Sequence, residues 1–515
     1  MPRCASWAVA TPCGNAVQTL AALTRADALP GRLPGELLPT LVALGHQALA
    51  GASCDLVVLA TAKGDLPRWC ESLLAGHPAA DDGGPAALAR ALGTAFACPA
   101  YAVMAACASG PAALAEASRI IAAGDARRVL VLGGDRLAPF VNEGFAALQA
   151  VDPSGCCKPF DADRAGIILG ETAAALVLDD QPGGVQISGW GQSLDAHHLT
   201  HPCRDGAGLA RACRAALAKA GAQRPGGIIA HGTGTRSNDE AEAAAYAQIA
   251  ADVPVIAWKG GLGHSLGPCG LTEVALAAEA WVQDLPLPGT IGWTRPGTAV
   301  PVSIRPAGAH RLPLPWLSPN AGFGGMNGAV VLDTVAAPPL SSLMGHVACR
   351  IDVMPDAQWR TSDGRQGVWD VANDGGLPRP TARQILGHID PNWGRMDTPS
   401  RLLVAMGHLL GPWPDGTGVV LLSDSGSADS DLRFERSRLT GAIEHQTFAY
   451  TLASAPVGEA GIRLRLTGPG QVLAGAHDDQ GRASARRLLA DGAPAVLVAR
   501  IETHGNVAWA ERWIA

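Results

Sequence analysis

Three short stretches of this chain place a nucleophile and two imidazoles where they could work together. Cys107 stands in "VMAACASGPAALAEA", His231 in "HGTGTRSNDEAEAAA" and His264 in "KGGLGHSLGPCGLTE". Cys107 follows a small-residue strand and precedes a helical run. Its sulfur would therefore lie at a helix N-terminus, whose dipole favours thiolate. Ala106, Ala108, Ser109 and Gly110 let substrate and backbone approach closely. A cysteine among alanines also reads as inert core, and for an isolated cysteine that reading is the commoner. His231 ends the apolar run "GGIIA" and opens a Gly/Thr loop, where an imidazole can act on substrate and Thr233 and Thr235 can hold a polar ligand arm. Alone, it equally reads as a turn histidine with capping threonines. Lys259 precedes the Gly-rich turn of His264, and Glu273 lies on the helix after it, so Lys259 and Glu273 could pair and hold the loop. The plain alternative is a surface lysine. In "NAGFGGMNGAVVL", a Gly-rich turn, the Phe323 backbone could face a site.

The elements that would position these residues alternate. "DLVVLATA" near 55–62, "RRVLVLGGD" near 127–135 and "TAAALVLDD" near 172–180 read as buried strands. The stretch from Gly110 to Gly124 reads as a helix with Leu114, Ala117 and Ile121 on one face and Gly124 placed to end it. Further helices are expected near Asp239 and near Gly270. Such alternation predicts α/β layers.

At 515 residues the chain should hold two or three domain-sized units. With 48% hydrophobic and 17% charged residues it reads as a well-buried globular protein. A net charge of −7 gives no support for nucleic-acid binding. The twelve cysteines follow no metal-ligand spacing. The start reads as no signal peptide, and no apolar run reaches the roughly 18–20 residues of a membrane span. The expectation is a cytoplasmic protein with free thiols.

The motifs "ACASG", "KPFDADRAGIILGE", "HGTGT", "KGGLGHSLG" and "GFGGMNG", in this order over roughly residues 1–335, resemble the β-ketoacyl synthase family of the thiolase superfamily. The resemblance implies a layered αβαβα fold and decarboxylative condensation of acyl thioesters. Cys107 would carry the acyl group, taken from a carrier thioester. His231 and His264 would promote decarboxylation of a malonyl-type extender and stabilise its enolate. The backbone N–H groups of Cys107 and Phe323 would form the oxyanion hole, and Phe323 would gate between acyl and extender pockets. Thr233 and Thr235 would hold the phosphopantetheine arm, and Lys259 and Glu273 would form a buried pair. Asp163, Arg164 and Glu171 look structural. No metal or other cofactor is implied. The implied partners are an acyl carrier protein and a second synthase-like subunit, in a homodimer or heterodimer, in fatty-acid, polyketide or aryl-polyene synthesis. Three departures stand out: Ala321 where an aromatic is usual, Thr172 where glycine is usual, and a short span between Cys107 and His231. A degradative thiolase or a primer-loading acyltransferase is disfavoured by the His-His pair with "HGTGT".

A Pro-containing junction, "VAAPPLSSLMGH", divides a catalytic domain at 1–337 from a second unit at 345–515. "ASRIIAAGDARRVLVL" (117–132) and "SARRLLADGAPAVLVA" (484–499) share a helix–Gly–strand pattern. Counting equally from Pro99 and Pro469 sets Cys107 against His477, with Gly475 as the other candidate. Either way the cysteine is missing. The run "FAYTLASAPVGEAGIRLRLTGPGQ" is similar to non-catalytic partners of type II polyketide and aryl-polyene synthases. Residues 345–515 are therefore expected to be a degenerate, non-catalytic half domain that docks partners or shapes the acyl pocket, as a chain-length factor would. The rival reading of the whole chain is a catalytically silent subunit of that kind, which the presence of Cys107 opposes.

Overall fold

The computed structural model describes residues 2–76, 83–340, 345–354, 356–370 and 376–515. Part of the proposed domain junction, 341–344, falls outside them. The apolar runs form strands: Leu56–Ala60, Arg128–Gly134 and Ala173–Asp179 are buried almost end to end. That continuous burial is the mark of strands covered on both faces. "DLVVLATA" leaves the sheet after Ala60 because Thr61 and the Ala62 N–H turn to the buried Asp135 carboxylate.

The first sheet runs Arg3–Ala10, Ala173–Asp179, Arg128–Gly134, Leu56–Ala60, Ala100–Met104. It does not stop there. Ala100–Met104 pairs antiparallel with Gly470–Ala474, and the sheet continues through Gly418–Leu422, Ala495–Glu502, Val507–Ile514 and His346–Val353. The order is palindromic, and each neighbouring pair has the same sense on both sides: parallel, parallel, antiparallel, antiparallel. At the centre Val103 faces Leu473. A pseudo-two-fold axis therefore passes between these residues, as in an isologous subunit contact. Both strands run three residues on, from Met104 to Cys107 and from Ala474 to His477. This registers Cys107 on His477 rather than on Gly475.

A second sheet belongs to the first unit alone among the described residues. It orders Gln186–Leu194, Met326–Asp333, Trp316–Gly322, Gly227–Ile229, Pro254–Ile256 and Ser303–Ile304. Helices Ser109–Ala123 and Cys269–Val282 lie between the two sheets and are buried almost all round. Small residues allow this: a Cβ on Gly110 would come within 2.5 Å of the Leu271 nitrogen. Gly124, at φ 77°, ends the first helix in the left-handed region. Leu37–Leu49 covers the first sheet from outside, and Ala207–Lys219 and Arg236–Ala250 lie outside the second. The result over 1–340 is the layered α/β architecture expected from the alternation.

Candidate active site

Cys107 sits on a sharp turn between strand and helix. Ala106 takes φ 51°, a conformation L-residues adopt rarely, and the Ser109 hydroxyl ties the turn together. Its Oγ accepts the Ala105 N–H at 2.9 Å and lies 2.6 Å from the Ala106 carbonyl. The turn "GFGG" passes directly over this point. A Cβ on Gly322 would meet the Ala105 carbonyl at 2.7 Å and the Cys107 nitrogen at 3.1 Å, so glycine is required for the close approach.

His231 is carried at the end of the strand Gly227–Ile229. Its loop is pinned by Glu242, whose carboxylate accepts the N–H of His231 at 2.9 Å and of Gly232 at 2.7 Å. Asn238 and the Tyr246 hydroxyl donate to the same carboxylate. Thr233 and Thr235 face one another at 3.0 Å on this loop, and Thr235 caps the helix that begins at Arg236. His264 is fixed by the segment containing "GIILGE": its N–H donates to the Ile168 carbonyl at 2.7 Å, and its carbonyl accepts from Gly170. Arg164 and Glu171 are tied into this frame, Arg164 to the Asp161 and Gly297 carbonyls and Glu171 to Arg136 and the Leu33 and Leu137 N–H groups. Asp163 pairs at the surface with Arg295. Thr172, the departure from glycine, bonds Ser265 and Thr272.

The two imidazoles stand edge to face with centroids 5.2 Å apart. Each is held in one tautomer. The Asn320 amide donates to His231 Nδ1 at 2.9 Å, and the Leu266 N–H donates to His264 Nδ1 at 3.0 Å. Both rings therefore carry their proton on Nε2. Asn320 keeps this orientation because the same amide group donates to Glu273 at 3.3 Å, and Glu273 pairs with Lys259 at 2.6 Å. All of these groups are buried. Burial, reinforced by the Lys259 charge, pushes both imidazoles down, His264 to about 3. They are neutral at neutral pH and present two N–H donors. Burial opposes the Lys259 charge, but Glu273 outweighs it and keeps the ammonium ionised.

Cys107, His231 and His264 line one cavity of about 540 Å³, together with Thr233, Thr235 and Phe323. The sequence-derived residues thus converge, apart from Lys259 and Glu273, which stand behind the histidines. Burial pushes the Cys107 thiol up to about 12, and Lys259 pulls it back only in part. Desolvation thus opposes the helix end that favours thiolate. Sequence reasoning missed Asn320 and Glu242. The acidic side chains of "SNDEAE", spaced along a helix that starts beside His231, were a signal for Glu242; nothing in the sequence marked Asn320.

Among the described residues no group of three or more His, Cys, Asp or Glu side chains could hold a metal ion, and no helix is long and apolar enough to cross a membrane. All twelve cysteines are free thiols.

The layered fold and the Cys-His-His pocket lie together in the first unit. Residues 16–182 match the family described as beta-ketoacyl synthase, N-terminal domain, and residues 185–291 match its C-terminal domain. The chain belongs to the β-ketoacyl synthase family. It is 33% identical over 257 residues to 3-oxoacyl-[acyl-carrier-protein] synthase 2 of Rhizobium meliloti (strain 1021), covering 45% of this chain and 60% of that protein. The same identity and coverage hold for the tetracenomycin polyketide synthase ketoacyl synthase alpha subunit of Streptomyces glaucescens. The chain thus spans about 60% of the length of these relatives. Among solved structures, the ketosynthase of Xenorhabdus doucetiae in complex with its chain length factor matches with TM-score 0.59 at 25% identity, over 65% of this chain and 98% of that one. A keto synthase–chain length factor structure, PfaC, matches over 100% of this chain and 78% of its own at TM-score 0.76; at 15% identity that likeness is one of fold.

Proposed function

We propose that the protein is a β-ketoacyl-[acyl carrier protein] synthase that condenses an acyl group on Cys107 with a malonyl-type extender. The observation that carries this reading is the pair of neutral imidazoles, both protonated on Nε2, in one pocket with a cysteine on a strained strand–helix turn. In the loading step the Cys107 sulfur attacks the acyl thioester of a carrier's phosphopantetheine arm. The thiol proton ends on the departing carrier sulfur. In the second step the extender loses carbon dioxide, and its enolate oxygen lies on the two Nε2–H groups, which stabilise negative charge without accepting a proton. The enolate carbon attacks the Cys107 thioester. The N–H groups of Cys107 and Phe323 hold the oxyanion, and collapse expels the cysteine sulfur, which regains a proton. Thr233 and Thr235 hold the incoming arm at the pocket mouth. Phe323, which with Phe145 divides this pocket from a smaller one behind it, is the gate. The chain's own residues supply this chemistry, with no resident cofactor or metal.

Residues 345–515 act as a non-catalytic half domain that stands in, within the same chain, for the synthase-like partner subunit. His477 occupies the place of the nucleophile, and Phe448, Thr451 and Leu452 close the space behind Cys107. The carrier protein is the remaining partner, and the reducing cytoplasm, where free thiols persist, is the setting. Incubation with an acyl-carrier thioester, followed by intact-protein mass spectrometry, tests the reading. One acyl group is expected on Cys107 and none on Cys107→Ala. Acylation that survives in Cys107→Ala would refute it.

A further inference from the structure

The second half carries a polar surface cleft of about 870 Å³ that shares no lining residue with the Cys-His-His pocket. It opens where the strand Gly418–Leu422 ends and the helix Ala428–Leu439 begins. Open α/β sheets bind ligands outside such carboxyl ends, and the volume suits a small molecule. The loop between strand and helix already holds one carboxylate: the N–H groups of Asp424 and Ser425 donate to Glu502 at 2.8 and 3.0 Å. The first turn of the helix is not served in this way. No side chain caps it, and among the described residues the N–H groups of Asp429 and Ser430 have no partner.

Side chains on the cleft wall point to an anion. Ser430 is 7% exposed, and among the described residues its hydroxyl has no hydrogen-bond partner. Arg395 and Arg401 line the cleft, and neither pairs with a carboxylate among the described residues. Arg401 donates to the Gly394 carbonyl at 3.1 Å, while its buried Nε bonds nothing. Burial, and then the Arg379 charge, push Arg401 below its ordinary value, a strain that a bound anion would relieve. Two of the acids on the wall are engaged. Glu444 holds Arg433 at 2.7 Å and the Thr447 hydroxyl at 2.8 Å, and Asp397 caps a helix through the Ser400 N–H at 2.9 Å. Asp429 is exposed and open to accept ligand hydroxyls. Met396, Pro399 and Tyr450 give the cleft an apolar side.

We propose that this cleft is a nucleotide-binding site. The phosphate sits on the open N–H groups of the first turn, the Ser430 hydroxyl and the guanidiniums of Arg395 and Arg401. Asp429 takes sugar hydroxyls, and the apolar side takes the base. The same helix carries Asp431, which accepts the Lys63 ammonium of the first half at 2.5 Å. The site is thus built on an element that also grips the first half.

Isothermal titration calorimetry of the full chain with AMP, adenosine and inorganic phosphate tests this. AMP is expected to bind with a Kd of about 100 μM or tighter. Adenosine, which lacks the phosphate, and inorganic phosphate, which lacks the base and sugar, should each bind at least about tenfold more weakly. Arg395→Glu reverses a charge at an exposed position and should weaken AMP at least about tenfold while leaving adenosine unchanged. Arg401→Gln should act in the same direction. Circular dichroism of both variants should match wild type; if Arg401→Gln fails to fold, Arg395→Glu alone decides. No binding of AMP at about 1 mM overturns the proposal. So does adenosine or inorganic phosphate binding as tightly as AMP, or an AMP affinity unmoved in Arg395→Glu.

Discussion

The two halves that meet at Val103 and Leu473 share a sheet order and differ in what they add to it. In the first, the helix after the central strand, Ser109–Ala123, is buried by a second sheet that also delivers His231 and the "GFGG" turn. In the second, the matching helix Asp478–Ala490 has a polar outer face. Where the first half stacks another layer, the second carries cation–π contacts. Arg350 and Arg482 lie 4.7 and 5.5 Å from Trp509, and Arg486 lies 5.6 Å from Trp513. Glu511 gathers Arg350, Arg482 and the Trp513 indole beneath them. At the site of the nucleophile, His477 caps a helix in a reciprocal box with Gln480. The strand–turn–helix frame is common to both halves, but the histidines and the "GFGG" turn come from the other sheet, which among the described residues the second half lacks.

The contact between the halves is charged and buried. Arg487 donates to Glu116 at 2.6 Å and to Asp125 at 2.8 Å, and Asp491 takes Arg119 at 2.7 Å together with Lys219 and the Trp190 indole. Buried pairs of this kind specify one arrangement, because a misplaced partner leaves an uncompensated charge.

Substitutions in both halves should separate their roles. Cys107→Ala abolishes acyl transfer, and adding His477→Cys does not restore it, because among the described residues no second sheet brings a turn like "GFGG" over that position; acylation of the thiol introduced there in the double variant, seen by peptide mass spectrometry, would show the halves to be interchangeable. Glu116→Ala leaves Arg487 buried without its main partner and should cost about 3–5 kcal/mol in denaturant unfolding. Asn320→Ala frees the His231 tautomer and should lower kcat about tenfold while sparing acyl loading, the scale of one lost hydrogen bond to a reacting group. Glu242→Gln should flatten the pH dependence of stability. Burial, reinforced by Asp239, raises Glu242 to about 7 in the folded protein against an ordinary 4.5. The unfolded chain thus ionises first, and stability falls as pH rises from about 4.5 to about 7, a slope that thermal melts of the glutamine variant should lose. His264 acts in the opposite sense: its ordinary 6.5 drops to about 3, so its contribution is lost as pH falls through that window. Last, Arg482→Ala should cost about 1 kcal/mol, since it removes a partly exposed cation over Trp509 and one hydrogen-bonded partner of Glu511, which keeps Arg350 and the Trp513 indole.

Much of this was legible in the sequence. The buried strands announced themselves as unbroken apolar runs, and Gly124 and Thr235 marked helix ends through ordinary capping chemistry. The motif residues converge because loops at strand ends gather at one face of each sheet. What the sequence hid is long-range. The helix end beside Cys107 is local and legible, while the burial that opposes it is set by residues from several distant loops. Asn320 looked like a turn residue until the strand Trp316–Gly322 placed it between His231 and Glu273. Lys63 read as nothing at all, because its partners lie more than three hundred residues away.

The account rests on the two neutral imidazoles serving condensation rather than loading. The direct measurement follows product and carbon dioxide when acyl and malonyl carrier proteins are supplied together. Wild type should release carbon dioxide and form a β-ketoacyl carrier, while His264→Ala should acylate Cys107 normally and form no product. Normal product formation by His264→Ala, or a loaded wild-type enzyme that never condenses, would contradict it.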